Sequence, residues 1–341
     1  MNVLTWIAIA SLHKINQQEN ENLKASCGAI HLKVPEPELP HFMSTGNPVP
    51  PNKYPFIAGF DTLANYRSKK RCTGVLISKR HVLTAAHCVY DNSQVILPGP
   101  YCNPHGKLLP TLDMTIYLGT KCPKPGDCPN GEERTPYKPR YIIPHPKYEP
   151  CRGHINDIAL IELDIEAKPE EASPICMPEE DDSMLYQTVT AIGYGTDTRI
   201  RPDRREPGLQ EVNMTAIGIY GGKIISSGRK SAVCPGDSGG PLIRVPESRN
   251  ATLFGILSTT SVNCSLYFQG DWDSIGTSTD VRPHLNWICD ITGVCPSQAS
   301  TAYPSPVSGD EVLAMKQRRM GWEDWFQGMG GVFIPTNDMS N

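Results

Sequence analysis

The sequence lacks three features, each of which would have pointed to a class of protein. No apolar run approaches the about 20 residues of a membrane-spanning helix, so we expect no membrane partner. There is no excess of positive charge, because 32 Lys and Arg against 36 Asp and Glu give a net charge of −4; we therefore expect no nucleic-acid partner. No C-x-x-C pair occurs among the 12 cysteines, which argues against zinc and predicts that no metal or other cofactor is bound.

The cysteines that are present favour another interpretation. An even count of this size is typical of disulfides formed in an oxidising compartment. The chain begins with a short apolar run that contains an A-x-A pattern at positions 8–10, which predicts a signal peptide over residues 1–12 and secretion; the alternative is an ordinary buried segment. Three glycosylation sequons are compatible with a secreted glycoprotein, at Asn213, Asn250 and Asn263.

The rest of the chain divides by composition. Residues 13–42 are polar and then proline-rich, and read as a pro-segment before the domain. Short β-type runs separated by Gly and Pro follow, among them 158–163 and 254–257. They favour an all-β sandwich or barrel, with one helix over 284–291. Residues 91–151 are rich in Pro and Cys and are predicted to be an insertion held by its own bridges, and residues 296–341 read as a linker and a tail whose role the sequence does not indicate.

One nine-residue stretch, CPGDSGGPL over 234–242, crowds three glycines and an acid around Ser238. It is either a tight turn or the loop of a nucleophile whose neighbouring amides face a developing negative charge. A serine nucleophile needs a base, and the base needs a third group to orient it. LTAAHC offers His87 and NDIAL offers Asp157, so the chemistry has all three residue types.

These three motifs, in this order, resemble the trypsin/chymotrypsin-like serine protease family. AIGYG at 191–195, LQEV at 209–212, GILS at 255–258 and LNWI at 285–288 support the resemblance, which covers about residues 43–295. It implies an all-β fold of two antiparallel six-stranded barrels with the catalytic cleft between them and a short C-terminal helix. It also implies a secreted serine endopeptidase that hydrolyses peptide bonds through an acyl-enzyme intermediate.

The resemblance assigns the catalytic roles residue by residue. Ser238 is the nucleophile, His87 is its general base and then the acid for the leaving amine, and Asp157 orients His87. The amides of Gly236 and Ser238 form the oxyanion hole. Ser258 supports Asp157 and helps to bind the substrate backbone.

The same resemblance locates the pocket for the residue before the cleaved bond (P1). Ala232 stands six residues before the nucleophile, where members that cleave after Arg or Lys have an Asp. A cationic side chain would be buried there without a partner, so cleavage after small or medium uncharged residues is predicted. The remaining residues of the pocket are Val233, Thr260, which should narrow it, and Gly276, which leaves one wall open.

Activation and disulfides are implied in the same way. The new N-terminus would be Met43, produced by cleavage after Phe42, and its amine would pair with Asp237. The implied disulfides are Cys72–Cys88, Cys234–Cys264 and Cys27–Cys176, with Cys27 pairing inside the insertion as the alternative. Cys289 with Cys295 is left over, and the pairing of four cysteines stays open: Cys102, Cys122, Cys128 and Cys151.

The expected partners are a polypeptide substrate, protein inhibitors of proteases and an activating protease. Three departures from the family pattern keep a second hypothesis open. Thr259 and Thr260 replace a Trp-Gly pair, Tyr194 replaces a Trp, and the residue before Met43 is neither Arg nor Lys. The alternative is a catalytically silent homologue that acts as a binding or regulatory module.

Overall fold

Strands make up most of the regular structure of this chain. The computed structural model describes residues 12–30, 47–64, 68–91, 107–120, 134–179, 187–196, 208–229, 232–245, 250–261, 273–297 and 334–335. The strands are β1 Asn47–Pro48, β2 Ile57–Ala64, β3 Ser68–Leu76, β4 His81–Thr84, β5 Tyr90–Asp91, β6 Lys107–Leu108, β7 Met114–Leu118, β8 Pro139–Pro144, β9 Ala159–Leu163, β10 Thr188–Gly193, β11 Gln210–Tyr220, β12 Lys223–Arg229, β13 Pro241–Arg244, β14 Thr252–Thr260, β15 Asp273–Asp280 and β16 Ile334–Pro335. The α-helices are α1 Gln17–Ser26, α2 Ala86–Val89 and α3 Leu285–Thr292.

The strands form two antiparallel barrels. In the second barrel the order is β11-β10-β13-β14-β15-β12, and β12 pairs back with β11, so six strands close the sheet; β1 lies outside on β11. The first barrel has the order β8-β9-β4-β3-β2-β7, with β16 on the outer edge of β8. It curls until Ile116 and Tyr137 exchange two backbone hydrogen bonds of 2.9 Å. The predicted all-β class with two six-stranded barrels and a short C-terminal helix is confirmed.

Side-chain periodicity explains which faces are buried. Along β7, Met114, Ile116 and Leu118 are buried and the two residues between them are partly exposed, the alternation expected when one face covers a core. Every residue of β4 and β9 is buried, because these strands lie in the middle of the first sheet. The Asp157 loop leads directly into β9, which holds that loop against the core.

The region 91–151 differs from the predicted insertion. It contains β7 and β8, two strands of the first barrel, and their apolar side chains pack into its core. The four cysteines and most of the prolines lie before, between and after β7 and β8, and Pro139 and Pro144 end β8 itself, so composition did not indicate these strands. Among the four cysteines whose pairing was left open, Cys151 is disulfide-bonded, and the other three lie outside the described residues.

Part of the predicted pro-segment also joins the domain. Ile15 packs in the core of the first barrel, together with Leu12, the last residue of the predicted signal peptide. The Ile15 N–H donates to the carbonyl of Thr292 at 2.8 Å. Helix α1 follows and begins with a capping box between Asn16 and Glu19. This N-x-x-E pattern was legible in the sequence, although composition alone suggested an irregular segment.

Disulfides fix both the segment and the barrels. The structure joins Cys27 to Cys176 and Cys72 to Cys88, the pairs that the resemblance implies, and also Cys289 to Cys295. Cys234 is disulfide-bonded, while Cys264 lies outside the described residues, as do residues 1–11, Met43 and nearly all of the tail. Among the described helices, none has both the length and the apolar character needed to cross a membrane.

Candidate active site

His87 and Asp157 are brought together from two loops of the first barrel. His87 lies in α2, directly after β4, and the Cys72–Cys88 disulfide fastens this turn to β3. The Nδ1–H of His87 donates to Oδ2 of Asp157 at 2.7 Å, and the backbone N–H of His87 donates to Oδ1 at 2.8 Å. Two bonds to one carboxylate fix both the ring and its tautomer, which leaves Nε2 as the basic nitrogen.

Asp157 is fully buried and is held by the second barrel as well. The Ser258 hydroxyl donates to Oδ2 at 2.6 Å, and the Thr279 hydroxyl donates to the Asp157 carbonyl at 3.0 Å. Burial by itself would raise the pKa of Asp157, but the charge and hydrogen bond of His87, with His154 and Ser258, hold the pKa below its usual value. The carboxylate is therefore ionised throughout the neutral range.

The glycines of the Ser238 loop are required by its geometry. Gly236 has a φ of +105° and Gly239 a φ of +81°, which are conformations that other residues rarely adopt. A Cβ on Gly239 would lie 2.3 Å from the carbonyl oxygen of Thr73 in β3. Glycine lets the loop turn sharply while the backbone touches the first barrel, so the loop is more than a simple turn.

The peptide between Pro235 and Gly236 is oriented by a neighbouring strand end. The Pro235 carbonyl accepts a hydrogen bond from the Thr196 N–H at 2.9 Å. In a trans peptide the C=O and the next N–H point in opposite directions, so the Gly236 N–H points away from Thr196. Within the described residues, neither this N–H nor that of Ser238 donates to a protein acceptor, as the predicted oxyanion hole requires.

Ser238, the predicted nucleophile, lies beside His87 without a hydrogen bond to it. The Cys88 sulfur is 3.9 Å from Nε2 of His87 and 3.5 Å from the carbonyl oxygen of Ser238, so the two residues flank the same disulfide. Among the described residues, the Ser238 hydroxyl has no hydrogen-bond partner. Catalytic hydrogen bonds are commonly long before substrate binds, and rotation about one side-chain bond moves this hydroxyl.

Asp237, the predicted partner of the new N-terminus, accepts two backbone hydrogen bonds. Gly195 N–H donates to Oδ1 at 2.8 Å and Cys234 N–H donates to Oδ2 at 2.7 Å. Burial raises the pKa of Asp237 to about 6, although both N–H groups favour the anion. A Cβ on Gly193 or Gly195 would overlap this carboxylate, so these two glycines make room for it.

The predicted P1 pocket residues cluster in the second barrel. Ala232 and Val233 are buried, and a Cβ on Gly276 would lie 3.1 Å from Val233 and 3.5 Å from Met214. Thr260 is partly exposed, at the end of β14 and in register with Gly276. Met214 was not foreseen, because β11 reaches this place only when the second barrel closes.

His154 is a further neighbour that sequence reasoning missed. Its ring lies edge-on to His87, with 5.4 Å between centroids, and its Nδ1 hydrogen-bonds the Tyr148 hydroxyl at 2.9 Å. His87, His154 and Asp157 each offer a ligand atom within 4.8 Å of one another. Both carboxylate oxygens of Asp157 already accept hydrogen bonds from His87 and Ser258. The arrangement is therefore better suited to orienting His87 than to binding a metal ion. The position of His154, three residues before Asp157, was the only signal that the sequence carried.

Comparison with known proteins identifies the family. The family model described as Trypsin matches residues 43–105 and 127–288. The chain belongs to the trypsin family. The unmatched stretch 106–126 covers only part of the predicted insertion, in agreement with the barrel strand β8 at 139–144.

Relatives of this trypsin-family chain are themselves named as serine proteases. Serine protease 56 of Mus musculus is 30% identical over 249 residues, which cover 66% of this chain and 35% of that protein. Mannan-binding lectin serine protease 1 of Rattus norvegicus is 27% identical over 303 residues, covering 81% of this chain and 39% of that protein. Granzyme M of Homo sapiens is 26% identical over 263 residues, covering 73% and 88%. The chain thus spans little more than a third of the length of the first two relatives.

Proposed function

We propose that this trypsin-family protein is a secreted serine endopeptidase. The observation that carries the proposal is the buried hydrogen-bond network of His87, Asp157 and Ser258, with the Ser238 loop held beside it. The disulfides Cys27–Cys176 and Cys72–Cys88 and the serine protease names of two relatives support the assignment. Acyl transfer requires an oriented base to activate the serine and backbone N–H groups to bind the oxyanion.

The reaction follows from these positions. Ser238 Oγ attacks the carbonyl carbon of the peptide while its proton passes to Nε2 of His87, and the carbonyl oxygen becomes an oxyanion facing the N–H groups of Gly236 and Ser238. When the C–N bond breaks, Nε2–H gives its proton to the leaving amine and an acyl-enzyme remains. Water then loses a proton to Nε2 and attacks the ester carbonyl; as the ester C–O bond breaks, Nε2–H returns this proton to Ser238 Oγ and the acid product leaves.

A fluorophosphonate probe tests this function directly. We expect the activated wild-type protein to be labelled covalently, because the probe reacts only with an activated serine, and we expect Ser238→Ala to remain unlabelled. Ser227→Ala, which changes a partly exposed serine of β12 outside the three motifs, is the matched control and should label like the wild type. An unlabelled wild type would favour the alternative, a silent homologue that binds or regulates.

We also propose that the enzyme cleaves after uncharged residues. Val233, Ser226 and Met214 lie nearest the space beside Gly276, and Ala232 is buried; none of these side chains carries a negative charge that could neutralise a buried cation. Among peptides that vary only at P1, those with Leu, Met or Ala should show the highest kcat/KM. Dominant cleavage after Arg or Lys would contradict this proposal.

Activation is proposed to occur between Phe42 and Met43, which lie outside the described residues. The Met43 amine would then pair with Asp237, whose carboxylate already accepts two N–H groups. Because Cys27 is bonded to Cys176, the released segment should remain attached to the active enzyme.

Gels and N-terminal sequencing of active enzyme check this route. One band under non-reducing conditions should become two on reduction, and the larger fragment should begin at Met43. In a Cys27→Ser/Cys176→Ser variant the two fragments should separate on a denaturing gel without reduction. A single uncleaved chain with full activity would rule the route out.

A further inference from the structure

Thr73 stands where three parts of the molecule meet. It lies in β3 of the first barrel, which pairs with β2, and it is completely buried. Its hydroxyl accepts a hydrogen bond from the Tyr194 N–H at 3.0 Å, where β10 of the second barrel ends. The same hydroxyl donates to the carbonyl of Gly236 at 2.9 Å, inside the loop of the nucleophile.

The backbone of Thr73 adds a further contact with that loop. Its N–H donates to the carbonyl of Ser238 at 2.8 Å, and its own carbonyl accepts from the Thr84 hydroxyl at 2.9 Å. Thr73 therefore binds the carbonyls of both residues whose N–H groups are to form the oxyanion hole. One residue of the first barrel thus holds the carbonyl groups of two residues, Gly236 and Ser238, in a loop that belongs to the second barrel.

These contacts bear on the direction of the oxyanion donors. Gly236 has no side chain and a φ of +105°, so its own backbone preferences restrain the loop little. Thr196 holds the carbonyl before Gly236 and the Thr73 hydroxyl holds the carbonyl after it. With the peptides on both sides of Gly236 anchored, the backbone from the Gly236 N–H to the Ser238 N–H has one path.

We propose that the Thr73 hydroxyl is a positioning residue for the oxyanion hole. The proposal rests on the proposed function, and it assigns to Thr73 no contact with substrate. Without the hydroxyl, the Tyr194 N–H and the Gly236 carbonyl lose their partner together. The Gly236–Asp237 peptide can then turn, which shifts the Ser238 N–H relative to the Gly236 N–H that Thr196 still holds. The two donors then fit the developing charge less well, which weakens binding of the transition state but leaves substrate binding intact.

The decisive variant is Thr73→Val, which keeps the shape and β-branching of the side chain and removes the hydroxyl. We expect kcat of the activated full-length protein on a peptide substrate to fall about tenfold while KM stays within twofold, since a misplaced donor costs less than the about 10²-fold of a deleted one. Affinity for a peptide boronate, which binds as a tetrahedral adduct, should fall by a similar factor. Thr73→Ser should restore both values.

Thr292→Val is the matched control. Thr292 is equally buried, and its hydroxyl also donates to a carbonyl, that of Ile288 at 2.7 Å, and accepts an N–H, that of Val294 at 3.0 Å. Thr292 lies in α3, away from the Ser238 loop. Thr292→Val should therefore lower the unfolding temperature as Thr73→Val does but leave kcat and boronate affinity unchanged. If Thr73→Val also changed stability alone, the proposal would be overturned. A wild type without hydrolytic activity would overturn the proposed function, and this proposal with it.

Discussion

Asp157→Asn should lower kcat by about 10⁴-fold, the loss that this change produces in other Ser-His-Asp triads. The carboxylate accepts two hydrogen bonds from His87 and one from Ser258. An amide that donates to Nδ1 would force the proton of the imidazole onto Nε2. The ring could then no longer take the proton of Ser238, although its position would hardly change.

Measurement of kcat and unfolding temperature separates this effect from loss of fold. Asp157→Asn should unfold near the wild-type temperature, because the side chains have nearly the same volume. Ser258→Ala is the comparison variant: it removes a single bond to the carboxylate and leaves its charge, so its kcat should fall far less. An Asp157→Asn protein that is folded and within tenfold of wild-type kcat would show that His87 is not oriented by this residue.

Acidification should unfold the protein between pH 6 and pH 4. His81, His145 and His284 are 1%, 3% and 4% exposed, and burial lowers their pKa values to about 3, 2 and 4 from 6.5. Below pH 6.5 the unfolded chain therefore binds three protons that the folded chain does not. Each one costs about 1.4 kcal/mol of unfolding free energy per pH unit.

Two carboxylates complete the expected pH dependence. Asp237 has the opposite sign, because a folded pKa of about 6 against 3.8 stabilises the fold as the pH falls through this range. Asp157, whose pKa is lowered, is ionised in both states until the pH falls below 3.8. The net loss is roughly 3 kcal/mol per pH unit, and over two pH units it reaches the order of the lower end of typical domain stabilities.

Urea unfolding at a series of pH values measures this slope, and His284→Phe tests its origin. His284 packs edge-on against His145, with 4.8 Å between centroids, and its Nδ1 has no hydrogen-bond partner among the described residues. Phenylalanine fits the same contacts and binds no proton, so the slope should fall to about 1.4 kcal/mol per pH unit. A slope that is the same in both proteins would refute the assignment to buried histidines.

The β strands show how far local patterns extend. Runs such as 158–163 and 254–257 predicted strands correctly, because short apolar runs bounded by turn residues are typical of buried β-strands. β7 and β8 were missed inside the Cys- and Pro-rich region 91–151, where composition described the connections rather than the strands. Helix α1 was missed because few of its side chains are buried, so its sequence shows no apolar periodicity. Its stability comes from the capping box and from the contacts of the residues that flank it, Ile15 before the helix and the disulfide-bonded Cys27 after it.

By itself the sequence determined the family and the fold class. It also singled out His87, Asp157 and Ser238 as the candidate triad, because each stands in a short motif whose glycines, cysteines or strand residues define the local backbone. Only the tertiary structure decided which distant groups complete the site. Thr73 is 163 residues from Gly236, and Ser258 is 101 residues from Asp157. Their hydrogen bonds exist because two barrels pack against each other, and no local pattern encodes the register of that packing.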